Sequence, residues 1–300
     1  MTLQKKKKIG IIGLDSMHAV ALTKSINLGQ LAESECFEVI AAYPKGSKNL
    51  PYRIEKVPLY TQQIKELGVE VILSIDSLLE KVDFVILTSN DGHVHLEQAL
   101  MVMRAGKPIF IDKPLAGTWH DSLAIVEAAE KYAIPIFSSS SLRFIETIAN
   151  IDDYDLGDIL GVHTFSPAQL EPNLPELLWY GIHGIEMLFA ILGEDCRYVQ
   201  RTFTSDFDLV LGEWDNGKIG TFRGFRKGVS GFGGVVHGSK ENMELGRFSG
   251  YDNLASAILR FFKTGDPPVT LKETLKIIAF TIAADESKLR NGSKVNLPKI

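Results

Sequence analysis

Apolar residues in the first half of the chain fall into short runs that alternate with longer amphipathic segments. The short runs are typical of buried strands, and the longer segments have the three-to-four-residue spacing of helices. The predicted strands cover residues 8–13, 37–43, 70–73, 83–88, 108–111 and 134–138, and the predicted helices cover residues 17–28, 61–67, 77–81, 95–105 and 118–132. This alternation predicts an α/β domain built on a doubly wound parallel sheet.

The second half of the chain has a different pattern, with strand-like segments in close succession. These segments cover residues 159–165, 197–204, 207–214, 218–225 and 232–237, with helices predicted at 175–192, 251–262 and 271–289. Asp215-Asn216-Gly217 is a hairpin turn signal between two of the strands. We therefore predict an α+β domain on a mostly antiparallel open sheet. The boundary is placed in the serine-rich segment 138–144, which gives domains 1–141 and 142–300.

Composition narrows the class of protein. The chain has 300 residues, of which 45% are hydrophobic, and this suits about two globular domains. A net charge of −5 argues against a nucleic-acid partner. No segment approaches the roughly 18 apolar residues that span a bilayer, so no membrane association is expected. The two cysteines, Cys36 and Cys196, form no disulfide framework, and together these features predict a cytoplasmic protein.

The clearest chemical signal is Asp112-Lys113-Pro114, directly after a predicted buried strand. Parallel α/β sheets bind their ligands at the carboxyl ends of the strands. The proline fixes the backbone just after the lysine. The sequence therefore predicts that Lys113 orients a substrate or transfers a proton at this edge of the sheet.

The first predicted strand leads into Gly13-Leu14-Asp15-Ser16, where a dinucleotide-binding domain of the Rossmann type has its glycine-rich turn. Asp15 and His18 stand where that fingerprint has glycine. Two interpretations remain open: a modified cofactor loop, or an ordinary turn in which Asp15 or Ser16 caps the next helix. In the second, the Asp15 carboxylate could occupy the amide site that a phosphate would use.

The loops after the second and fourth strands carry further candidates. Tyr43 stands where an NAD site would have an acid, whereas Lys45, Ser47 and Lys48 could bind a 2′-phosphate, which slightly favours NADP; a solvated turn is the alternative. The alternating histidines His93 and His95 lack a third ligand at suitable spacing, so no metal is expected. We expect His95 to lie near the nicotinamide instead.

A second chemical signal is Tyr180-Gly181-Ile182-His183, followed by Glu186. On a helix, His183 and Glu186 share a face, and a histidine beside a carboxylate can serve as a general acid or base. A histidine in an apolar helix is also commonly a core residue, so both interpretations of His183 stay open at this point.

Together these motifs resemble the Gfo/Idh/MocA family of NAD(P)-dependent oxidoreductases over nearly the whole chain. The family's Glu-Lys-Pro triplet is matched by Asp112-Lys113-Pro114 after Ala105-Gly106-Lys107, and its Gly-x-His is matched by Gly181-Ile182-His183. The segment from Phe261 to Pro268 is also similar to the family.

The resemblance implies a hydride transfer between NAD or NADP and a sugar, a cyclitol or a related polyol or keto compound. In it, Lys113 would hydrogen-bond the reacting hydroxyl, and His183 would act as the general acid or base. Further contacts with the substrate are expected from Arg143, Tyr180 and Glu186. Contacts with the cofactor are expected from Gly13, Leu14, Asp15, Ser16, Tyr43, Lys45, Ser47, Thr88, Ser89, Asn90, His95, Asp112 and Lys113.

The resemblance also implies a homodimer or homotetramer that associates through the C-terminal sheet. Aromatic residues on the predicted strands are candidates for that interface, namely Phe203, Phe207, Trp214, Phe222 and Phe225.

The chain departs from the family pattern at several positions. Trp179 stands where the family has an acid four residues before the histidine, and Asp15 and His18 replace glycines. These departures leave two alternatives to a dehydrogenase. One is a non-catalytic protein that binds a dinucleotide or a sugar, and the other is a glycosidase that retains its NAD.

Overall fold

The computed structural model describes residues 5–300. Its helices are α1 (Met17–Asn27), α2 (Pro51–Ile54), α3 (Val57–Glu66), α4 (Ile75–Leu79), α5 (His95–Arg104), α6 (Trp119–Tyr132), α7 (Glu146–Ala149), α8 (Glu176–Trp179), α9 (Ile182–Leu192), α10 (Asp252–Thr264) and α11 (Leu271–Leu289). Short 3₁₀ turns occur at Ala32–Cys36, Gly92–Val94, Ser141–Phe144 and Ile151–Asp153. Within these residues, no helix is long and apolar enough to cross a membrane.

The first sheet is parallel and, within residues 5–300, has six strands in the order β3-β2-β1-β4-β5-β6. These strands are β1 (Lys7–Ile12), β2 (Phe37–Tyr43), β3 (Glu70–Val71), β4 (Phe84–Leu87), β5 (Ile109–Asp112) and β6 (Ile136–Ser139). Every residue of β4, β5 and β6 is buried, as expected for parallel strands that are covered on both faces. The predicted doubly wound α/β sheet is confirmed.

The strand order reverses between β1 and β4, because the chain builds outward in one direction from β1 and then in the other from β4. Loops that leave neighbouring strands at such a point run in opposite directions and open a crevice at the carboxyl ends of the strands. The loops after β1 and β4 contain Gly13 and Thr88. The fold therefore has its topological switch point at the loop after β1, where the sequence pattern places the candidate dinucleotide-binding turn.

The second sheet has the order β12-β11-β7-β10-β9-β8-β13. Its strands are β7 (Ile159–Pro167), β8 (Cys196–Phe203), β9 (Phe207–Trp214), β10 (Ile219–Phe225), β11 (Gly233–Gly238), β12 (Asn242–Leu245) and β13 (Val295–Asn296). The pair β7 and β10 is parallel and the other pairs are antiparallel, so the predicted mostly antiparallel sheet is also confirmed.

The chain divides into two compact units in a way that differs from the single predicted boundary. The first unit contains residues 1–139 and 251–271, and the second contains residues 140–250 and 272–300. Helix α10 is the reason for the difference. Its Phe262 stacks on Phe84 of β4 at 4.7 Å, and its Phe261 packs edge-on against Phe137 of β6 at 5.0 Å. These aromatic contacts assign the helix to the first unit.

The helix predicted over residues 175–192 is interrupted, which corrects that prediction. Helix α8 ends at Trp179 and helix α9 begins at Ile182. Tyr180 leaves helical geometry with φ −125° and ψ −35°. At Gly181 a Cβ atom would lie 3.1 Å from the Leu177 carbonyl, so the glycine permits this close approach. His183 consequently lies in the first turn of a new helix.

A buried network of charges holds the second unit together around Arg201 on β8. The Arg201 side chain is fully buried, and it donates to Asp208 at 2.9 Å, to Asp285 at 2.5 Å and to Glu176 at 2.5 Å. Lys288 also contacts Glu176 at 2.6 Å. A buried guanidinium needs such partners, because an unpaired charge in the interior is strongly destabilising. The network joins α8, β8, β9 and α11.

Asp285 is an acid of this network whose charged form is disfavoured by burial. Burial raises the pKa of Asp285 from 3.8 to about 6, although Arg201 opposes the change. In the unfolded chain the carboxyl loses its proton near pH 3.8, whereas in the folded chain it keeps the proton to about pH 6. Its contribution to stability is therefore present at low pH and is lost as the pH rises from about 4 to about 6.

We expect an Asp285→Asn variant to lack this pH dependence, because the amide does not ionise. The unfolding free energy of the variant minus that of the wild type should increase by about 2 kcal/mol from pH 4 to pH 7. Urea denaturation followed by tryptophan fluorescence measures the difference. The exposed Asp155→Asn serves as the matched control and should show no such gain. An identical Asp285→Asn effect at both pH values would contradict the assignment.

Candidate functional site

The crevice between the loops after β1 and β4 is held together by hydroxyl and backbone contacts. Thr88 is fully buried and donates its hydroxyl to the Gly13 carbonyl at 2.8 Å. Gly13 has φ +93°, and a Cβ atom there would lie 2.4 Å from the Ser89 hydroxyl oxygen. Only glycine fits this position. The Ser89 hydroxyl donates to Gln98 of α5 at 2.7 Å.

The side chain of Asp15 is the central polar group of the crevice, and it is completely buried. Its carboxylate accepts hydrogen bonds from the Ser47 amide at 2.9 Å and from the Asn90 amide at 3.2 Å, and it also contacts the Ser47 hydroxyl. Ser16, rather than Asp15, is the N-cap of α1, because its hydroxyl accepts from the His18 amide at 3.2 Å. Asp15 therefore joins the loops after β1, β2 and β4.

The loop after β2 lies directly on the loop after β1. The Gly13 amide donates to the Tyr43 carbonyl at 2.9 Å, and the Leu14 amide donates to the Pro44 carbonyl at 3.0 Å. A Cβ atom on Gly46 would lie 2.1 Å from the Asp15 carboxylate, so glycine permits this close approach. The loops are thus packed against each other with Asp15 between them.

Beside these loops lies a cavity of about 380 Å³, with mainly apolar walls. Its lining includes Tyr43, Lys45, Ser47, Ile75, Gln98 and Met101. Lys48, at the same cavity, pairs with Glu97 at 2.6 Å. The Ser47 hydroxyl is engaged by Asp15. Of the predicted 2′-phosphate ligands, Ser47 and Lys48 are therefore occupied by carboxylates of the chain itself.

His18, which stands where the fingerprint has its last glycine, contacts the Asp112 carboxylate at the end of β5 through its Nδ1. The His18 ring also lies 4.8 Å from the ring of Tyr251. Burial alone would raise the pKa of the Asp112 carboxyl, but the His18 imidazole and Lys113 hold it below its ordinary value of 3.8. Asp112 is thus an anion held between two basic residues.

Lys113 follows directly, at the carboxyl end of β5 and half-buried. Its backbone amide donates to the Asp112 carboxylate at 2.9 Å. This contact fixes the backbone at the point where the strand ends. The structure therefore positions Lys113 at the sheet edge where the sequence predicts it.

His95 has a different role from the predicted contact with the nicotinamide. It is completely buried at the start of α5. Its Nε2 lies 2.7 Å from the Ser89 carbonyl oxygen, and its Nδ1 lies 3.0 Å from the Pro114 carbonyl oxygen. Because backbone carbonyls engage both ring nitrogens, His95 connects the segments after β4 and β5 and presents no ring nitrogen to a ligand.

The neighbouring His93 pairs with Asp91 at 2.9 Å. Across residues 5–300, no three histidine, cysteine or acidic side chains are grouped so as to hold a metal ion.

In the second unit, His183 is 95% buried in the first turn of α9. Its Nδ1 lies 2.6 Å from the hydroxyl oxygen of Ser140. The Ser140 amide donates to the Glu186 carboxylate at 2.8 Å. Ser140 therefore lies between Glu186 and His183 and contacts both. The sequence pattern instead predicts that Glu186 pairs with His183 directly. Tyr180 packs edge-on against the His183 ring at 5.3 Å.

Ser140 is the functional candidate that the sequence interpretation missed. The serines at 138–141 were used only to mark a domain boundary, although polar residues that follow a buried parallel strand commonly face a ligand site. Ser140 comes directly after β6. The missing signal was its pairing with His183, which is 43 residues away in the sequence.

Arg143 and Trp179 complete the predicted substrate region of the second unit. Arg143 pairs with Glu273 at 2.5 Å, and its buried Nη1 has no hydrogen-bond partner in residues 5–300. Trp179, which stands where the resemblance predicts an acid, is 96% buried. An indole cannot exchange a proton with His183 as a carboxylate would.

Residues 7–138 match the family model GFO_IDH_MocA, which is described as an oxidoreductase family with an NAD-binding Rossmann fold. The matched segment lies within the first unit and covers less than half of the 300 residues. The matched residues include the loops after β1, β2 and β4 as well as Asp112 and Lys113.

Two named inositol dehydrogenases are among the proteins of similar sequence. Inositol 2-dehydrogenase 2 of Saccharopolyspora erythraea is 32% identical over 124 residues, which are 38% of this chain and 36% of that protein. Inositol 2-dehydrogenase of Salmonella typhimurium is 26% identical over 213 residues, or 67% of this chain and 58% of that protein. The chain thus spans about a third of the first relative and 58% of the second.

Similarity to a solved structure extends over the whole chain. GenD2 from gentamicin A biosynthesis, solved in complex with NAD, superposes with a TM-score of 0.79 at 16% identity and covers 100% of this chain and 98% of that one. At this identity the likeness shows the fold.

Two features of the crevice bear on whether it can hold a dinucleotide: the cavity beside Tyr43 and the buried Asp15 carboxylate. The 380 Å³ cavity beside Tyr43 has the size and apolar walls to hold an adenosine. Beside the loop after β1, however, the backbone amides of Ser47 and Asn90 already bind the Asp15 carboxylate. Another anion can use these two amides only after that carboxylate has moved away.

The pairing of His18 with Asp112 gives a test of the electrostatics at this edge. Since its pKa is lowered, the Asp112 carboxylate contributes stability above pH 3.8 and loses that contribution as the pH falls through its folded-state pKa. In a His18→Ala variant, burial remains and the favourable imidazole is lost, so the pKa of Asp112 should rise. Carbon-13 NMR titration of the carboxyl measures this, with the exposed His120→Ala as control. An unchanged Asp112 pKa would contradict the account.

Proposed function

We propose that this chain is an NAD(P)-dependent oxidoreductase that transfers a hydride between nicotinamide and a hydroxyl-bearing carbon of a cyclitol, a sugar or a related compound. The observation that carries the proposal is the placement of Lys113 at the carboxyl end of β5, within the residues that match the NAD-binding family. The names of the relatives support the substrate class, because both are inositol dehydrogenases.

Lys113 is proposed to hydrogen-bond the reacting hydroxyl. An ammonium group at this oxygen stabilises the alkoxide character that develops as the hydroxyl loses its proton. The adjacent Asp112 supports this role, because its carboxylate is held by His18 and fixes the Lys113 backbone amide. The lysine is therefore presented from a rigid strand end.

His183 is proposed to take up or return the proton of that hydroxyl. The Ser140 contact engages Nδ1, so exchange with the substrate is assigned to Nε2. Ser140, held in turn by Glu186, serves as the positioning residue that the family's acid supplies elsewhere. Arg143 and Tyr180, on the same unit as His183, are proposed to hydrogen-bond other hydroxyl groups of the substrate.

The nicotinamide cofactor, when bound, accepts or supplies the hydride. Residues at the 380 Å³ cavity, with Tyr43 and Gln98 among them, are proposed to enclose its adenosine. A preference for NADP over NAD rests on Lys45, since Ser47 and Lys48 are already engaged by Asp15 and Glu97. NAD is the cofactor that the family description names.

A second candidate is a non-catalytic protein that binds a sugar or dinucleotide. The buried Asp15 carboxylate in the candidate cofactor loop favours it, because a carboxylate there opposes a bound diphosphate. Turnover with any member of a cyclitol and sugar panel excludes this candidate.

Replacement of the two proposed catalytic groups tests the oxidoreductase assignment. Lys113→Met and His183→Ala should each lower kcat by about 100-fold on the best substrate of the panel, the usual scale for a positioned acid or base. Absorbance of the reduced nicotinamide measures the rate. Lys107→Met, at the opposite end of β5, and His120→Ala are matched controls that should retain kcat. Unchanged turnover in both test variants would contradict the proposed roles.

We further propose that the chain forms a homodimer or homotetramer through the open face of the second sheet. Leu209 on β9 and Ile219 on β10 are 48% and 47% exposed on this face, and Phe207 and Phe225 are opposite each other on the same two strands. Three of the predicted interface aromatics lie elsewhere: Trp214 and Phe222 are buried on the other face, and Phe203 packs under Lys288 of α11.

A Leu209→Glu variant tests this interface, because a carboxylate there would be desolvated on association. Light scattering should give a multiple of the 33.2 kDa chain for the wild type and a smaller mass for the variant. Leu289→Glu, on the exposed end of α11, is the control. A monomeric wild type would contradict the proposal.

A further inference from the structure

We propose that the Asp15 carboxylate is a built-in competitor for the diphosphate of the cofactor, so that every dinucleotide must displace it in order to bind. Asp15 would then determine cofactor affinity in this chain. The inference rests on the proposed function for the identity of the ligand, and it goes beyond it by assigning a role to a side chain that neither binds the cofactor nor takes part in hydride transfer.

The donors around Asp15 are those that a phosphate group would use. The Ser47 amide, the Asn90 amide and the Ser47 hydroxyl all point at one carboxylate. Backbone amides that converge from loops at the carboxyl ends of parallel strands form typical anion sites. In this crevice the anion is supplied by the chain itself.

The position of the carboxylate adds to this argument. Asp15 stands where the dinucleotide turn has the glycine that lets the backbone approach the diphosphate. Its side chain fills that approach, and it is completely buried between Gly46 and Asn90. A diphosphate in the same place would overlap the carboxylate and would also be repelled by its charge.

Displacement of Asp15 would leave the loop framework intact. The hydrogen bonds from Gly13 to Tyr43 and from Leu14 to Pro44 join backbone atoms and do not involve the carboxylate. Ser16 caps α1 independently of Asp15. The carboxylate can therefore leave without unfolding the turn, and its departure exposes the Ser47 and Asn90 amides to the cofactor.

A purely structural role makes the opposite prediction. If Asp15 only fastened three loops together, its loss would loosen the crevice and weaken cofactor binding. If it competes with the diphosphate, its loss strengthens binding. The direction of the change in affinity therefore decides between the two roles.

The experiment compares the wild type with Asp15→Gly, which restores the turn glycine, and with Asp15→Asn, which keeps the size and removes the charge. Each protein is titrated with NADH and NADPH by calorimetry, and with adenosine as a ligand that lacks the diphosphate. We expect Asp15→Gly to lower the Kd of the preferred dinucleotide by at least about tenfold, with Asp15→Asn in the same direction. The Kd of adenosine should change by less than about twofold.

Asp83→Asn is the matched charge control, because Asp83 accepts a hydrogen bond from the Lys8 amide at the opposite end of the sheet. It should leave all three Kd values unchanged. Thermal denaturation of each variant establishes that it is folded, and Asp15→Asn decides the question if Asp15→Gly is not.

Equal or weaker dinucleotide binding by the folded Asp15 variants, beside a wild type that binds, would overturn this inference and leave the proposed function standing. Absence of binding in the wild type and in both variants would overturn the inference and the proposed cofactor together.

Discussion

The hydrogen bonds from the Ser47 and Asn90 amides to the buried Asp15 carboxylate are the interactions on which access of an anion to the crevice of the first unit depends. A fully buried carboxylate is stable only when its oxygen atoms are satisfied, and here the donors come from the loops after β2 and β4. Backbone hydrogen bonds from the Gly13 and Leu14 amides hold the loop after β2 against the loop after β1 without that carboxylate. The framework of the crevice is therefore independent of Asp15, whereas its resistance to a second anion comes from the Asp15 charge.

A second acid, Asp112, lies at the carboxyl end of β5 and contacts both His18 and Lys113. Its pairing with His18 joins α1 to the end of β5, and its contact with the Lys113 amide fixes the proposed substrate-binding lysine. Both glycine replacements in the turn thus have partners: Asp15 is satisfied by amides and His18 by a carboxylate. Each of the two substituted side chains therefore has a polar partner within the first unit, as buried polar groups require.

The sequence was sufficient to predict the strands and helices whose pattern lies within a few neighbouring residues. Apolar runs predicted β1, β2, β4, β5 and β6 because buried parallel strands are apolar on both faces. Thr118 was read correctly as a helix start, and its hydroxyl accepts from the Asp121 amide at 3.0 Å. The break between α8 and α9 escaped prediction, because the apolar pattern continues through Tyr180 and Gly181 while the backbone turns.

Part of the candidate site was predictable because it also depends on a local pattern, the end of a buried strand. Lys113 follows a strand end, so topology alone places it at the edge of the sheet. The partner of His183 was not predictable, because Ser140 reaches it across 43 residues while the expected partner, Glu186, binds the Ser140 amide. The engagement of His95 by two backbone carbonyls likewise depends on loops that are separate in the sequence.

A crystal structure of the wild-type chain with NADH bound tests the central claim most directly. The account predicts that the diphosphate oxygens accept hydrogen bonds from the Ser47 and Asn90 amides, with the Asp15 carboxylate moved away from both. A bound dinucleotide beside an Asp15 carboxylate that still accepts from both amides would contradict it.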